Sequence, residues 1–471
     1  MTAEAPKIKI RINDRVLSVI VFALLFAWLL AFPFEGQILY AIADSYGLDP
    51  HGFIFGAIAI HFAGLFSCGF VIKSARAAKR MLLFASVYCI LGTCPFFFPP
   101  SALWNVALIS ASFVAGWAVA SWGFYLKACT AKNERIKTTA DGLIYSNIVM
   151  IALNMAAIHI APRIGLSFAM LVLLAAFFFA LRLPVDDGKP VLDHGAQPAD
   201  NLPSVYKPLA FLYLFVVIIT INSGLMYQVI NPAFEHLEGL VSWYWAVPYI
   251  AALFIMRNLP RKTNRTYILY VAIAMIGFSF IAFMSLDRSA SSYLVVDTLM
   301  LGACGVYDLF WWSILGEMLD FDKNAAKILG IGLSANVLGV LMGGMLGNAI
   351  GMSSNATLVA LAVVCVSLSI LPLLHKRLSV LLKDHAYLTE LSEMPAHEQN
   401  EALHRVAALA ELTEREREVA KLLLEGKNYK IVASELHISD NTVKSHIKNI
   451  YAKLKIKNRT ELIKIMLEQR S

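Results

Sequence analysis

Up to about residue 375 the chain alternates long apolar runs with short polar joints; after it, apolar positions recur every three or four residues among charges. Each long run approaches the ~20 residues that a helix needs to cross a hydrocarbon layer. The pattern predicts twelve spans, near 16–34, 52–72, 81–99, 102–126, 143–162, 166–183, 208–230, 240–256, 266–286, 293–315, 329–350 and 356–374. The later pattern is that of short amphipathic helices, each with one buried face. The predicted fold class is therefore all-α: a twelve-helix polytopic membrane domain over 1–375, a helical linker over 376–410, and a small four-helix domain over 411–471.

Composition sharpens this division. Hydrophobic residues make up 58% of the chain and charged residues 15%, whereas soluble domains run near ~25% charged. A single soluble globule is excluded. The N-terminal Lys7, Lys9, Arg11 and Arg15 precede an apolar run as in a signal peptide, but no small-residue cleavage site follows, so a retained first span is expected. The six cysteines lie in or beside apolar runs without metal-type spacing and read as small apolar residues.

Charge orients the spans. With a cytoplasmic N-terminus, the inner segments collect 24 cations, from Lys7 to Lys383, and the outer loops only Arg163 and Arg288. That asymmetry follows the positive-inside rule and is expected to place both termini in the cytoplasm. The longest joint, about 184–207, carries Pro184, Pro190, Pro198 and Pro203 and divides the spans six and six, into halves of about 16–183 and 208–374. Gly339, Gly343, Gly347 and Gly351 recur every four residues and predict a smooth helix face for close packing. This 6+6 plan resembles the major facilitator superfamily of transporters. The loop after the second run reads Gly69-Phe-Val-Ile-Lys73-Ser-Ala-Arg76-Ala-Ala-Lys79-Arg80; it keeps the basic end of that family's loop motif and lacks its acid.

The C-terminal segment carries the clearest chemistry. Thr413 and Glu416 form a capping box that opens a helix, with Val419, Ala420, Leu423 and Leu424 as its apolar face and Gly426 as its stop. A second helix near 428–436 follows. Ser439 can cap a third, whose buried stripe is Val443, Ile447, Ile450 and Leu454, and a fourth buries Leu462, Ile463 and Met466. The polar face of the third helix presents Asn441, Thr442, Lys444, Ser445, His446, Lys448 and Asn449, with Lys430 on the helix before it. Cations there suit phosphates, and amides and hydroxyls suit base edges in a major groove. From Lys427 to Lys464, nine cations face three acids.

Those residues resemble the LuxR-type (GerE-like) helix-turn-helix domain. The match runs through Leu412-Thr413, Arg415-Glu416, Val419, Gly426, Ala433, Leu436, Ile438-Ser439, Thr442-Val443-Lys444, His446, Asn449-Ile450, Lys453-Leu454 and Asn458-Arg459-Thr460-Glu461. Ile431, Tyr429 and Lys455 depart from it; Lys455 stands where glycine is usual. The resemblance implies that 440–454 is the recognition helix and that the fourth helix pairs two copies on DNA. The joint at 375–411 offers two helical stretches separated by Pro395, which could pair between protomers or lie on the membrane surface.

Ionisable and amide groups inside spans mark candidate ligand contacts: His61, Asp308, Asn154, Asn222 and Glu35. No catalytic residue, metal site or cofactor is predicted. The expected function is a membrane-bound one-component transcription regulator, in which small-molecule sensing by the transporter-like part controls DNA binding. Its expected partners are DNA, an unidentified small molecule, the lipid membrane, a second copy and RNA polymerase. The alternatives are a secondary transporter with an attached regulatory domain and a membrane-tethered protein-binding module.

Overall fold

The computed structural model describes residues 13–34, 36–131, 134–185, 206–259, 265–350, 355–373, 396–424, 429–456 and 459–468. Among them every regular element is a helix. The chain divides into two compact units, one holding the membrane bundle up to about Pro372 and one holding the C-terminal helices.

The bundle contains twelve apolar helical spans: span 1 (Asp14–Ala31), span 2 (Gly52–Val71), span 3 (Ala75–Phe97), span 4 (Ala102–Ala128), span 5 (Arg135–His159), span 6 (Pro162–Leu181), span 7 (Leu209–Ala233), span 8 (Glu235–Arg257), span 9 (Ile268–Ser285), span 10 (Ala290–Met318), span 11 (Ala325–Ile350) and span 12 (Asn355–Leu373). All twelve predicted runs are there. Spans 3, 5, 6, 8 and 11 begin four to eight residues earlier than hydropathy suggests. At span 3 the cause is visible: the Ser74 hydroxyl accepts the Ala77 N–H and starts the helix inside the basic segment. An unpredicted short helix, Gln37–Asp44, buries Ile38, Leu39, Ile42 and Ala43.

Two spans are interrupted. Span 7 contains a π-turn at Met226–Ile230 just before Pro232. Proline lacks an N–H and clashes with the carbonyl four residues back, and a widened turn accommodates this. Span 8 breaks between Tyr244 and Val247, with Pro248 in the first turn of its second piece.

Glycine governs several close helix pairs, spans 7 and 11 among them. A Cβ on Gly343 would lie 2.1 Å from the Ile221 carbonyl oxygen, and one on Gly224 would lie 2.2 Å from that of Val340. Spans 7 and 11 therefore touch backbone to backbone, as the glycine repeat predicts; Gly351 lies outside the described residues.

The basic span ends are tied across the two halves. Arg135 of span 5 binds Asp320 through two hydrogen bonds of 2.8 and 3.0 Å and also reaches the Gly316 carbonyl. Arg257 of span 8 and Arg15 of span 1 share Asp141 of span 5. Lys127 donates to the Asp322 carbonyl, and the Asn324 amide donates to that of Gly69. These groups collect at the end of the bundle where span 1 begins.

In the C-terminal unit the four expected helices are Glu414–Leu424, Tyr429–Glu435, Asp440–Leu454 and Arg459–Glu468, here called the first to fourth reader helices. The capping box forms in both directions: Thr413 N–H donates to Glu416 Oε2 at 2.9 Å and Glu416 N–H to the Thr413 hydroxyl at 3.2 Å. The core joins Val419, Leu423, Val443, Ile447, Ile450, Leu462, Ile463 and Met466. A fifth helix, Ala396–Leu409, inserts Ala402, Leu403 and Val406 into this same core. The stretch read as the second half of a linker is thus packed within the reader; the first half and Gly426 lie outside the described residues.

Candidate nucleic-acid interface and membrane cavity

The third reader helix separates its two chemistries by face. Val443, Ile447 and Ile450 are buried. Asn441, Thr442, Lys444, Ser445, Lys448 and Asn449 are exposed, and His446 is half-buried between the faces. Ser439 caps the helix by accepting the Thr442 N–H at 3.1 Å, and its hydroxyl also meets that of Thr442 at 2.8 Å. The exposed face therefore begins at a helix N-terminus, where the backbone dipole favours phosphate. Lys430 belongs to the second reader helix, and its side chain lies outside the described residues.

The helix is held from behind. Lys453 donates to Glu416 at 2.7 Å and to the Glu411 carbonyl at 2.9 Å. Burial pushes the Glu416 carboxyl up, but the Lys453 ammonium and the Thr413 hydrogen bonds outweigh it and hold it below its ordinary range. Arg415 reaches the Leu436 carbonyl at 2.5 Å and fixes the turn before the third helix. Lys455, where glycine would be usual, ends the third helix at φ 54°, ψ 40°. The left-handed cap explains the glycine preference.

A second candidate site lies in the bundle. A cavity of about 170 Å³ is lined by spans 1, 2, 4 and 5 from the first half and spans 7, 8, 10 and 11 from the second. His61 and Asp308 both line it. His61 Nδ1 is 2.9 Å from the Ser112 carbonyl oxygen. A carbonyl can only accept, so Nδ1 carries the proton, and a neutral ring keeps Nε2 as an acceptor. Tyr249 donates to Asp308 Oδ2 at 2.8 Å, and the Ser223 and Tyr307 hydroxyls meet at 2.7 Å. Phe26, Phe34, Trp245 and Trp312 supply aromatic walls.

Asn154 and Asn222 are fully buried but do not line this cavity. Asn154 accepts the Gln37 N–H and so ties span 5 to the short second helix. Glu35 lies outside the described residues. Sequence reasoning missed Tyr249, Tyr307, Ser223 and Asn147. A tyrosine or serine in an apolar run carries little signal by itself; the breaks at Pro232 and Pro248, beside Tyr227, Trp245 and Tyr249, are the cue that could have found this wall. Among the described residues no group of three or more metal-ligating side chains occurs.

Residues 410–466 match the family described as bacterial regulatory proteins, luxR family. The spore germination protein GerE of Bacillus subtilis is 50% identical over 52 residues, which are 11% of this chain and 70% of that protein. The chain therefore belongs to the luxR family of bacterial regulatory proteins through its C-terminal domain. The monoamine regulon transcriptional regulator of Klebsiella aerogenes is 48% identical over 52 residues, 11% of this chain. This chain spans only 23% of the length of that regulator. The bundle is similar in fold to transporters. The human organic anion transporter MFSD10 aligns with a TM-score of 0.60 and 13% identity, over 77% of this chain and all of that one. A bacterial homologue of the iron transporter ferroportin, in an outward-facing state, aligns at 0.57 with 15% identity, over 78% of this chain and 99% of that one. The protein is thus a multi-pass membrane protein of transporter-like fold carrying a DNA-binding domain of transcription regulators.

Proposed function

We propose that the protein is a one-component transcription regulator of the bacterial inner membrane, with both termini cytoplasmic. A small molecule binds the transporter-like bundle and biases its arrangement. The bias reaches the reader through the segment that leads into Ala396–Leu409. The third reader helix binds DNA through Lys444, Lys448 and Lys430 on phosphates and Asn441, Thr442, Ser445, His446 and Asn449 near bases. Two copies occupy one operator, and contact with RNA polymerase follows from that position.

The observation that carries this reading is a mainly apolar cavity with a few polar groups, His61 and Asp308 among them, on the same chain as a luxR-family reader. The transporter reading draws on fold likeness; it predicts coupled uptake into proteoliposomes. The absence of the loop acid after Gly69 disfavours it.

The test is a transcriptional reporter driven by the chain's own upstream region, scored across a compound panel. The full chain is expected to respond to some compounds and a reader lacking the bundle to give one constant output. Output that survives Lys444→Ala with His446→Ala would instead mark a tethered protein-binding module. If no compound separates the full chain from the isolated reader, the bundle is an anchor.

A further inference from the structure

The central cavity holds a carboxyl group, that of Asp308, with no lysine or arginine beside it among the described lining residues. Among those residues Asp308 is the one aspartate or glutamate, and the ring of His61, whose Nδ1 is engaged by the Ser112 carbonyl, is the basic side chain that shares the wall with it. A carboxylate in a membrane bundle is costly unless a cation or a set of donors meets it. Here the hydrogen bond identified is that from Tyr249. A ligand bearing a positive charge would supply the missing partner; an anionic one would meet like charge in a low-dielectric site, where repulsion is strong.

The cavity also sets a size. Its volume is about 170 Å³, and an apolar cavity of ~150 Å³ accommodates benzene. Room therefore exists for one six-membered ring with a short arm. Polarity sets the pose. The second half contributes the carboxyl group of Asp308 with the hydroxyls of Tyr249, Tyr307 and Ser223, whereas the first contributes mainly apolar groups such as Phe26, Leu30, Ile58 and Val119, with His61 and Asn147 as its polar members. A charged head belongs at the second half and an apolar body against the first. The indole rings of Trp245 and Trp312 add faces that attract a cation.

We propose that this cavity binds a compact cationic amine whose apolar body is about the size of one six-membered ring, with Asp308 as its counter-ion. The assignment rests on the reading that the bundle binds a small molecule and adds the chemical class to it.

The test uses the full chain in lipid nanodiscs and follows its tryptophan fluorescence, since Trp245 and Trp312 line the cavity. Three probes of matched shape are titrated at neutral pH: benzylamine as cation, benzyl alcohol as neutral body, benzoate as anion. Benzylamine is expected to bind at least tenfold more tightly than benzyl alcohol, with benzoate weakest. Asp308→Asn is expected to remove the amine preference and to leave benzyl alcohol within threefold of its wild-type affinity. The comparison among probes on the wild-type chain needs no variant, so it stands even if Asp308→Asn fails to fold. Equal binding of alcohol and amine, tighter binding of benzoate, an Asp308→Asn chain that keeps the preference, or no saturable binding of any probe each overturns the assignment. The reporter response does not depend on these probes, so sensing itself can stand while the amine class falls.

Discussion

Replacing Leu403 by alanine in a fragment of residues 396–471 should destabilise the reader, although Leu403 precedes the luxR-family match that begins at residue 410. Leu403 and Val406 are 6% and 1% exposed and pack in the core with Val419, Leu462 and Met466. Burying one such side chain contributes ~1.5–3 kcal/mol, so the pair supplies at most ~3–6 kcal/mol. A domain of 76 residues has a total stability of ~4–11 kcal/mol. Leu403→Ala removes part of that contribution and leaves a void, for a loss of ~2–4 kcal/mol. With a urea m-value of ~1–2 kcal/mol/M, the unfolding midpoint should fall by ~1–4 M. Circular dichroism on the fragment reads this directly, and residues 411–471 alone should melt lower still. A change below ~0.5 kcal/mol, or equal stability of the two fragments, would show that Ala396–Leu409 is a tether and not part of the reader.

Asp320→Asn should leave the buried Arg135 guanidinium with an unbalanced charge, at a cost of ~3–5 kcal/mol; a thermal melt of the full chain in detergent should show the loss, with less loss when Arg135→Ala is added. Glu416 titrates below its ordinary range, so its stabilising contribution is complete above a pH of ~4.3 and disappears as pH falls through the lowered value; Glu416→Gln should flatten the fragment's urea midpoint between pH 7 and 3. Lys455→Gly should raise fragment stability by ~0.5–1 kcal/mol, because the residue sits at φ 54°, where an L side chain is strained.

The spans and the reader face were legible because each is a local pattern. Twenty apolar residues announce a span wherever it packs, and Thr413 with Glu416 encodes its own hydrogen bonds. What lay beyond the sequence is pairing and rotation. Arg135 and Asp320 are 185 positions apart, and nothing local joins them. Span 7 is apolar nearly all round, so the pattern did not say which face turns inward; Asn154 and Asn222 are buried away from the cavity, whereas His61 and Asp308 line it. The helix Ala396–Leu409 showed an amphipathic face without naming its partner, which the core supplied.

The central claim is that the full, membrane-embedded chain reads DNA. The most direct measurement is binding of the nanodisc-embedded protein to a duplex from its own upstream region across a salt series. If Lys430, Lys444 and Lys448 on each of two copies meet phosphates as proposed, six contacts give a slope of log affinity against log salt of about −5, and Lys444→Ala should reduce its magnitude by about one per copy. Absent binding, a slope near zero, or a slope unmoved by Lys444→Ala would contradict the account.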